Sequence, residues 1–386
     1  MLLDKSNFLI NPDITFLNHG SFGAVPHIVL DAQIEYRKEM ESSPIEFFLH
    51  RAPELLEHSV SKLANLINAN QESLFFVDNA TNGVNTVLNS LLNYFNGNVE
   101  IVFFDQIYSA VKQSLNHLSK VHGIRLHEIV LDYPLSKDEI IRKFKEEISR
   151  CTKIAVFDHI SSPTAMIFPV EELVEICSKM GIVTIVDGAH SVGQIPLDLS
   201  KFEYDFYISN CHKWLFAPKG SAFLWVNDIY KEIVHPLSIS LFYGQGLRKE
   251  FYWQGTRDIT QWLATADAID FVNNIGLENL ISHNNSLNYQ AKKIIKDNFT
   301  EITCSDEQNA AMSTHFFSDD AKLMKLTGNE VRDMFFKKYK IEVPFMNYKN
   351  KMWFRISAQV YNTIDEYELL VTKLNQFVNK IKSGVW

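Results

Sequence analysis

Short runs of β-branched and aromatic residues alternate with amphipathic segments between residues 70 and 226. Seven of these runs predict strands, at residues 74–77, 100–104, 125–130, 153–158, 183–187, 205–209 and 222–226. The segments between them have apolar residues at helical spacing, clearest at 83–92, 110–120, 137–149 and 170–180. Alternation of this kind is typical of a mainly parallel sheet covered by helices. The pattern therefore predicts a large α/β domain with a seven-stranded sheet.

The pattern differs on either side of this region. Apolar spacing after Pro26 and Pro44 predicts two packing helices before the sheet. Beyond residue 262, long helices at 277–296, 328–339 and 364–381 alternate with short strands near 313–317, 342–345 and 352–357, which indicates a smaller α+β domain. We predict an N-terminal segment at 1–25 that packs on the small domain, a large domain at 26–260 and a small domain at 261–386. The passage 235–256 is the most irregular, and such loops often carry function.

Composition narrows the class of protein. The 386 residues are 46% apolar and 22% charged, as in folded globular chains long enough for two or more cores. A net charge of −9 disfavours nucleic acid as a partner. The four cysteines show no C-x-x-C spacing, so no metal site is predicted, and free thiols are typical of a reducing compartment. We find neither a signal-peptide pattern nor an apolar run of roughly 18 residues, so we expect a cytoplasmic protein without a membrane partner.

Polar residues follow the predicted strands, where α/β sheets bind their ligands. They occupy positions 78–83, 105–108, 158–164, 187–190 and 210–213. Neither the glycine pattern of dinucleotide-binding folds nor a P-loop is present, which removes the two commonest cofactor interpretations of such a sheet.

Asp187 and Lys213 follow consecutive predicted strands and are 26 residues apart. A carboxylate and a lysine at the mouth of an α/β sheet can hold pyridoxal phosphate. The lysine amine forms a Schiff base, and the carboxylate keeps the pyridine nitrogen protonated. Burial would lower the pKa of the lysine and favour its neutral form. An ordinary salt bridge is the alternative, and the spacing alone favours it.

Other residues meet the remaining needs of this cofactor. Thr81 and its neighbours stand near the start of a predicted helix, where backbone amides can bind a phosphate, although plain N-capping is the alternative. Tyr108 follows the next strand and could cover the ring or belong to the core. His190 could bind the ring hydroxyl or be a structural histidine.

Six ordered motifs carry a resemblance to a known family. They are FLNHGSFG at 16–23, NATNG at 79–83, DGAHSVG at 187–193, NCHKWL at 210–215, WQGTRD at 253–258 and FRIS at 354–357. The chain resembles the class V aminotransferases among the fold-type I pyridoxal phosphate enzymes, and within them the isopenicillin N epimerase group. This resemblance covers nearly the whole chain and reverses the preference for a salt bridge.

The resemblance implies roles for particular residues. Lys213, Asp187 and His190 would be catalytic, with Lys213 as the Schiff-base lysine. The other implied cofactor contacts are Tyr108 at the ring, Thr81, Asn82, Asn210 and His212 at the phosphate, and Thr256 from the partner subunit of a homodimer. Arg355 would bind the substrate carboxylate, for which a bidentate guanidinium is suited, and His19 would lie near the substrate.

The epimerase-like branch tolerates two departures from the commoner pattern, Asn210 in place of serine and His190 in place of glutamine, so they narrow the subfamily and leave the cofactor unchanged. Cysteine desulfurases carry a nucleophilic cysteine shortly before the carboxylate-binding arginine. Here the nearest upstream cysteine, Cys304, precedes Arg355 by 355 − 304 = 51 residues, which disfavours that activity.

The expected substrate is an amino acid or a metabolite derived from one, and the shared first step is removal of its α-proton by Lys213. Return of the proton on the opposite face gives epimerisation, which is the first expectation. Loss of a β-sulfur group gives a lyase of the hercynylcysteine sulfoxide or cysteine type, and protonation at the cofactor carbon gives transamination. A non-catalytic scaffold is disfavoured because it has no need of Lys213, Asp187, Thr81 and Arg355 together.

Overall fold

The computed structural model describes residues 2–95, 99–132, 135–301, 310–317 and 323–383. The strands in this part of the chain are β1 (Thr15–Phe16), β2 (Leu74–Val77), β3 (Glu100–Phe104), β4 (Arg125–Ile129), β5 (Thr152–Asp158), β6 (Val183–Asp187), β7 (Phe206–Ser209), β8 (Ala222–Val226), β9 (Thr300–Glu301), β10 (Met312–Phe316), β11 (Ile341–Glu342), β12 (Phe345–Tyr348) and β13 (Lys351–Ser357). The helices are α1 (His19–Phe22), α2 (His27–Ser42), α3 (Pro44–Glu46), α4 (Ala52–Leu66), α5 (Ala80–Phe95), α6 (Ser109–His122), α7 (Lys137–Glu147), α8 (Val170–Met180), α9 (Leu247–Tyr252), α10 (Thr260–Leu263), α11 (Thr265–Ile275), α12 (Leu277–Lys296), α13 (Gly328–Tyr339) and α14 (Ile364–Ser383). A π-helical turn at Phe47–Arg51 joins α3 to α4.

The large sheet has seven strands in the order β2-β8-β7-β6-β5-β3-β4, and β8 alone runs antiparallel to its neighbours. Alternate residues of each strand face opposite sides. In β3, Ile101 and Phe103 pack in the core formed with α5 and α6, whereas Val102 and Phe104 pack in the core that includes α4, α7 and α8. Both faces are therefore buried, which explains why the strands are nearly continuous apolar runs. The predicted α/β class and seven-stranded sheet are confirmed.

The C-terminal part contains an antiparallel sheet in the order β12-β13-β10-β9. Side chains from α12, α13 and α14 pack with this sheet in a core rich in phenylalanine. Near the N-terminus, β1 pairs in parallel with β11. This pairing attaches the N-terminal segment to the C-terminal part.

The structure adds β1, β9, α10 and α11 to the predicted elements and differs from the prediction at three further places. The strand predicted at 342–345 is two strands, β11 and β12, interrupted at Pro344, which has no amide hydrogen to donate. The passage 235–256, predicted to be irregular, contains α9. Helix α5 begins at Ala80, three residues before the predicted start, and the side chain of Asn79 accepts a hydrogen bond from the Asn82 amide.

The predicted domain boundaries stay predictions. Helix α11 contacts α2 and α4, and its Ile269 and Val272 share a core with Phe76 of the large sheet. No helix in the described ranges is long and apolar enough to cross a membrane.

Candidate active site

A cavity of about 490 Å³ opens at the carboxyl ends of the central strands of the large sheet. The loops after β2, β5, β6 and β7 supply most of its walls, as the rule for α/β sheets predicts. Of the predicted site residues, seven line it: Thr81, Tyr108, Asp187, His190, Asn210, His212 and Lys213.

Lys213 lies in the loop after β7, and its Nζ is 3.0 Å from Nε2 of His190. Burial of the amine, followed by the positive charge of Arg355, lowers the pKa of Lys213 to about 7. Burial and the neighbouring cations also hold the pKa of His190 well below its usual range, so this imidazole is neutral. The indole N–H of Trp214 donates to Nδ1 of His190 at 3.2 Å, which leaves the ring proton on Nε2, directed at Lys213. The lysine amine is therefore ready to act as a nucleophile or base near neutral pH.

Asp187 ends β6 and is 3% exposed. Its Oδ1 accepts a hydrogen bond from the Ala189 amide at 3.0 Å. Burial raises the pKa of this carboxyl, and the opposing effects of the Ala189 amide and of Lys213 are smaller. A cationic ring nitrogen placed beside Asp187 would therefore gain a charge partner in a site shielded from water.

Thr81, Asn210 and His212 line the cavity around the first turn of α5. Asn210 Oδ1 accepts from the Ala80 amide at 2.9 Å and so holds the helix start against the loop that carries Lys213. The N-terminus of a 16-residue helix attracts an anion because its first amides lack helical partners. Asn82 is also in this first turn but does not line the cavity.

Arg355 projects from β13 and is 3% exposed. Its Nη1 donates to Ser162, including the hydroxyl at 3.2 Å, and its Nη2 donates to the Ser21 hydroxyl at 3.2 Å. Both serines line the cavity. Nε of Arg355 is buried without a hydrogen-bond partner among the described residues. The guanidinium therefore lies behind the two serines of the cavity wall. An anion in the cavity can replace its hydrogen bonds to these serines, and its Nε has one further hydrogen bond to donate.

Besides Asn82 and Arg355, two more predicted site residues lie outside the cavity wall. His19 is buried beneath the lysine loop, where its Nε2 is 2.9 Å from the Lys213 carbonyl oxygen and its Nδ1 is 2.8 Å from the Tyr361 hydroxyl. Thr256 is exposed, and its neighbour Arg257 forms an ion pair with Asp78, a residue of the cavity wall. Within one chain, therefore, His19 supports the lysine loop and Thr256 faces solvent.

Sequence reasoning did not assign roles to Asp158, Ser162 and Ser21, although all three line the cavity. Asp158 ends β5 and Ser162 follows four residues later, so the strand-end rule that selected Asp187 could have selected both. Ser21 belongs to the short helix α1, where the only sequence signal is the FLNHGSFG motif at 16–23. Cys304, whose position disfavoured desulfurase activity, lies outside the described residues.

These groups fit pyridoxal phosphate. The cavity combines a lysine with a lowered pKa, a buried carboxylate, a helix N-terminus with polar side chains, and a buried guanidinium with an unpartnered nitrogen. They match, in turn, the aldehyde, ring nitrogen and phosphate of the cofactor and the carboxylate of an amino acid.

Comparisons with known proteins agree with this interpretation. A putative L-cysteine desulfhydrase of rice (Oryza sativa subsp. japonica) is 31% identical to the chain, over 95% of this chain and 82% of the relative. Hercynylcysteine sulfoxide lyase of Schizosaccharomyces pombe is 26% identical over 97% of this chain and 96% of the relative. Isopenicillin N epimerase of Streptomyces clavuligerus is 32% identical, over 62% of this chain and 60% of the relative.

A solved structure of the cystine C-S lyase C-DES in complex with cysteine persulfide shares the fold. Its TM-score is 0.81 at 17% identity, and the match covers 94% of this chain and 97% of that one. The family model described as aminotransferase class-V matches residues 16–370. The chain therefore belongs to the class V aminotransferase family and is a pyridoxal phosphate-dependent enzyme.

Proposed function

We propose that this enzyme is a carbon–sulfur β-lyase that acts on L-cysteine or an S-substituted L-cysteine. The observation that supports action on an amino acid is the joint presence of Lys213, with its pKa lowered to about 7, and the buried Arg355 at one cavity, and the relatives named lyase and desulfhydrase support the lyase outcome. One group can remove an α-proton and the other can bind an α-carboxylate.

In this proposal, the chain's own residues hold the cofactor as follows. Lys213 binds it covalently, Asp187 faces the ring nitrogen, His190 contacts the ring oxygen and Tyr108 covers a ring face. The phosphate contacts come from Thr81, Asn82, Asn210 and His212 and, from the partner subunit, Thr256. When bound, the cofactor withdraws electrons from the α-carbon of an attached amino acid.

The residues of the site then orient the α-carbon of the substrate and remove its α-proton. Arg355 fixes the substrate carboxylate by charge-assisted hydrogen bonds that replace its contacts to the two serines. Lys213 takes the α-proton, and its position is held by the His190 ring on one side and by the His19 contact to its carbonyl oxygen on the other. Elimination breaks the Cα–H and Cβ–S bonds. With one water, the final products are a thiol, pyruvate and ammonia.

The relatives support a lyase over other outcomes. The desulfhydrase and the sulfoxide lyase align with nearly the whole chain, whereas the epimerase aligns with 62% of it. Among the described cavity residues there is no cysteine to accept sulfur. Cys211 lies in the loop beside Lys213 but is buried, and burial raises the pKa of its thiol to about 12.

Epimerisation is the second candidate, favoured by the 32% identity to isopenicillin N epimerase. It needs a proton donor on the cavity side away from Lys213. Tyr108, a half-exposed residue of the wall, carries one hydroxyl available for that role.

The test is to incubate the holoenzyme in heavy water with L-cysteine, L-cystine and an S-alkyl-L-cysteine. Sulfide or thiol release with equimolar pyruvate is the expected result. Solvent deuterium at the α-carbon with inversion and no pyruvate would instead identify an epimerase, and ketoacid formation with pyridoxamine phosphate would identify a transaminase. Lys213→Ala should abolish every outcome. Lys219→Ala, which changes a nearby lysine outside this cavity, is the matched control.

We further propose a cytoplasmic homodimer with shared sites and the division at residues 25 and 260. Free Cys151, Cys177 and Cys211 support a reducing compartment. The exposed position of Thr256 supports a role in a neighbouring subunit.

A further inference from the structure

A second carboxylate stands beside Asp187. Asp158 ends β5, and in the parallel pairing of β5 with β6 it is the register partner of Asp187. Neighbouring strands lie about 4.8 Å apart, so the two side chains leave the sheet edge side by side. Both line the cavity, and they are only 6% and 3% exposed.

Few charges compensate this pair. Asp158 accepts a long hydrogen bond of 3.5 Å from the Tyr108 amide at the start of α6, and Asp187 accepts one from Ala189. Lys213, in the loop after β7, is the cation whose charge acts on both carboxylates. Its own charge is lost above a pKa of about 7.

Other titratable groups around the pair add little positive charge. His190, after β6, is neutral because burial and nearby cations depress its pKa. His159 follows Asp158 directly and is also neutral, since burial lowers its pKa to about 4. Arg355 of β13 acts on Lys213 and bonds to Ser162 and Ser21.

Two buried carboxylates this close do not both ionise without a cation between them. Burial and the charge of Asp187 hold the pKa of Asp158 well above its usual range. Burial and mutual repulsion therefore favour a pair that shares one proton, mainly on Asp158.

We propose that Asp158 and Asp187 form a proton-sharing carboxylate pair in which Asp158 holds the proton and Asp187 carries the single negative charge that would face the cofactor's ring nitrogen. The ring nitrogen of free pyridoxal phosphate already carries a proton at neutral pH, so no proton has to move and one positive charge meets one negative charge. The placement of the ring nitrogen beside Asp187 rests on the proposed function. The sharing of the proton does not, because it already exists in the apoprotein.

The apoprotein tests the sharing. The carbonyl band of protonated carboxyls is followed against pH by infrared spectroscopy on protein labelled with carbon-13 aspartate. The unsubstituted protein should lose the two protons in separate steps. Asp158→Asn keeps an oxygen that accepts from the Tyr108 amide but removes the charge. The remaining carboxyl should then titrate roughly 1–2 pH units below the upper step, and Asp187→Asn should have the same effect.

Asp205→Asn is the matched control. Asp205 is also a carboxyl whose pKa is raised by burial, but it bonds to Thr184 near the opposite end of β6. Its replacement should remove one band and leave the two steps in place. Unchanged midpoints in both Asp158→Asn and Asp187→Asn, or a single step in the unsubstituted protein, would overturn the pair.

Calorimetry tests which carboxyl carries the charge. Binding of pyridoxal phosphate is measured in buffers of different ionisation enthalpy, which reports the protons exchanged with solvent. Asp158→Asn should exchange about as many protons as the unsubstituted protein, because Asp187 keeps its charge, whereas Asp187→Asn should release up to about one proton more, because Asp158 must then ionise beside the ring nitrogen. Equal proton exchange in all three proteins would contradict this division of roles. A protein that binds no pyridoxal phosphate would contradict the proposed function and leave the apoprotein titration valid.

Discussion

Gly23 is the point where the N-terminal segment touches the backbone of the lysine loop. It follows α1 with φ +69°, and a Cβ added there would lie 2.1 Å from the His212 carbonyl oxygen. Because the obstacle is backbone next to Lys213, it cannot move aside like a flexible side chain. Gly23→Ala therefore displaces the backbone of His212 and Lys213, although Gly23 itself does not line the cavity.

The magnitude follows from two costs. Gly23 has φ +69° and ψ 166°, a region that is essentially restricted to glycine, so an alanine there costs about 1–3 kcal/mol, and forcing an extra carbon against packed backbone costs about 1–3 kcal/mol more. Gly123→Ala measures a positive φ without a steric contact, because Gly123 is left-handed helical (φ +70°, ψ 24°) and has no atom within 4 Å of the added carbon. We expect a total loss of about 2–6 kcal/mol for Gly23→Ala and about 1–2 kcal/mol for Gly123→Ala.

The assay has two parts. Urea unfolding of the apoproteins measures the loss of stability, and fluorescence titration measures the affinity for pyridoxal phosphate. Gly23→Ala should weaken cofactor binding because displacement of the His212 carbonyl moves Lys213, whereas Gly123→Ala should leave the affinity unchanged. Equal losses of stability in the two variants, with unchanged cofactor affinity in both, would refute the reasoning.

Three more predictions concern the site. Arg355→Ala should raise KM for carboxylate substrates by roughly 10–100-fold, because it removes charge-assisted hydrogen bonds of about 1.5–3 kcal/mol, while the affinity for pyridoxal phosphate stays nearly constant; an unchanged KM would contradict the clamp. Lys213 is protonated below its pKa of about 7 and neutral above it, so cofactor uptake by the apoprotein should rise with pH and level off above pH 7, and Arg355→Gln should move this midpoint upward because it removes a neighbouring positive charge. A midpoint that stays in place in Arg355→Gln would exclude that electrostatic effect. Thr256→Ala should weaken cofactor binding, and sedimentation should show a dimer; a fully active monomer with unchanged affinity would rule out shared sites.

The large sheet could be predicted because its strands are buried on both faces. Such strands are short apolar runs with sharp ends, and the bounds 74–77, 100–104, 183–187 and 222–226 agree with β2, β3, β6 and β8. The predicted bounds were wrong where a single residue, and not the spacing of apolar residues, decides where a strand or helix begins or ends. Pro344 divides one predicted strand into two. Helix α5 begins at Ala80, before the apolar positions that predicted it, and the Asn79 side chain accepts a hydrogen bond from the Asn82 amide there.

The site was partly predictable for a related reason. Residues at the ends of parallel strands converge wherever the strands are adjacent, so Asp187 and Lys213 could be paired from sequence positions alone. Asp158 obeys the same rule, but only the register of β5 on β6 shows that it is the direct neighbour of Asp187. The position of His19 beneath the lysine loop had no local signal, since its partners are 194 and 342 residues away in the chain.

The sequence by itself determined the fold class, the ordered motifs and the chemical types of the groups at the strand ends, because these depend on residue identity and short-range periodicity. Tertiary structure alone decided which groups are charged. A lysine pKa of about 7, a neutral His190 with its proton on Nε2 and a raised pKa for Asp158 beside Asp187 arise from burial and from neighbours far apart in the chain. Desolvation and Coulomb interactions act through space, and spacing along a chain does not encode them.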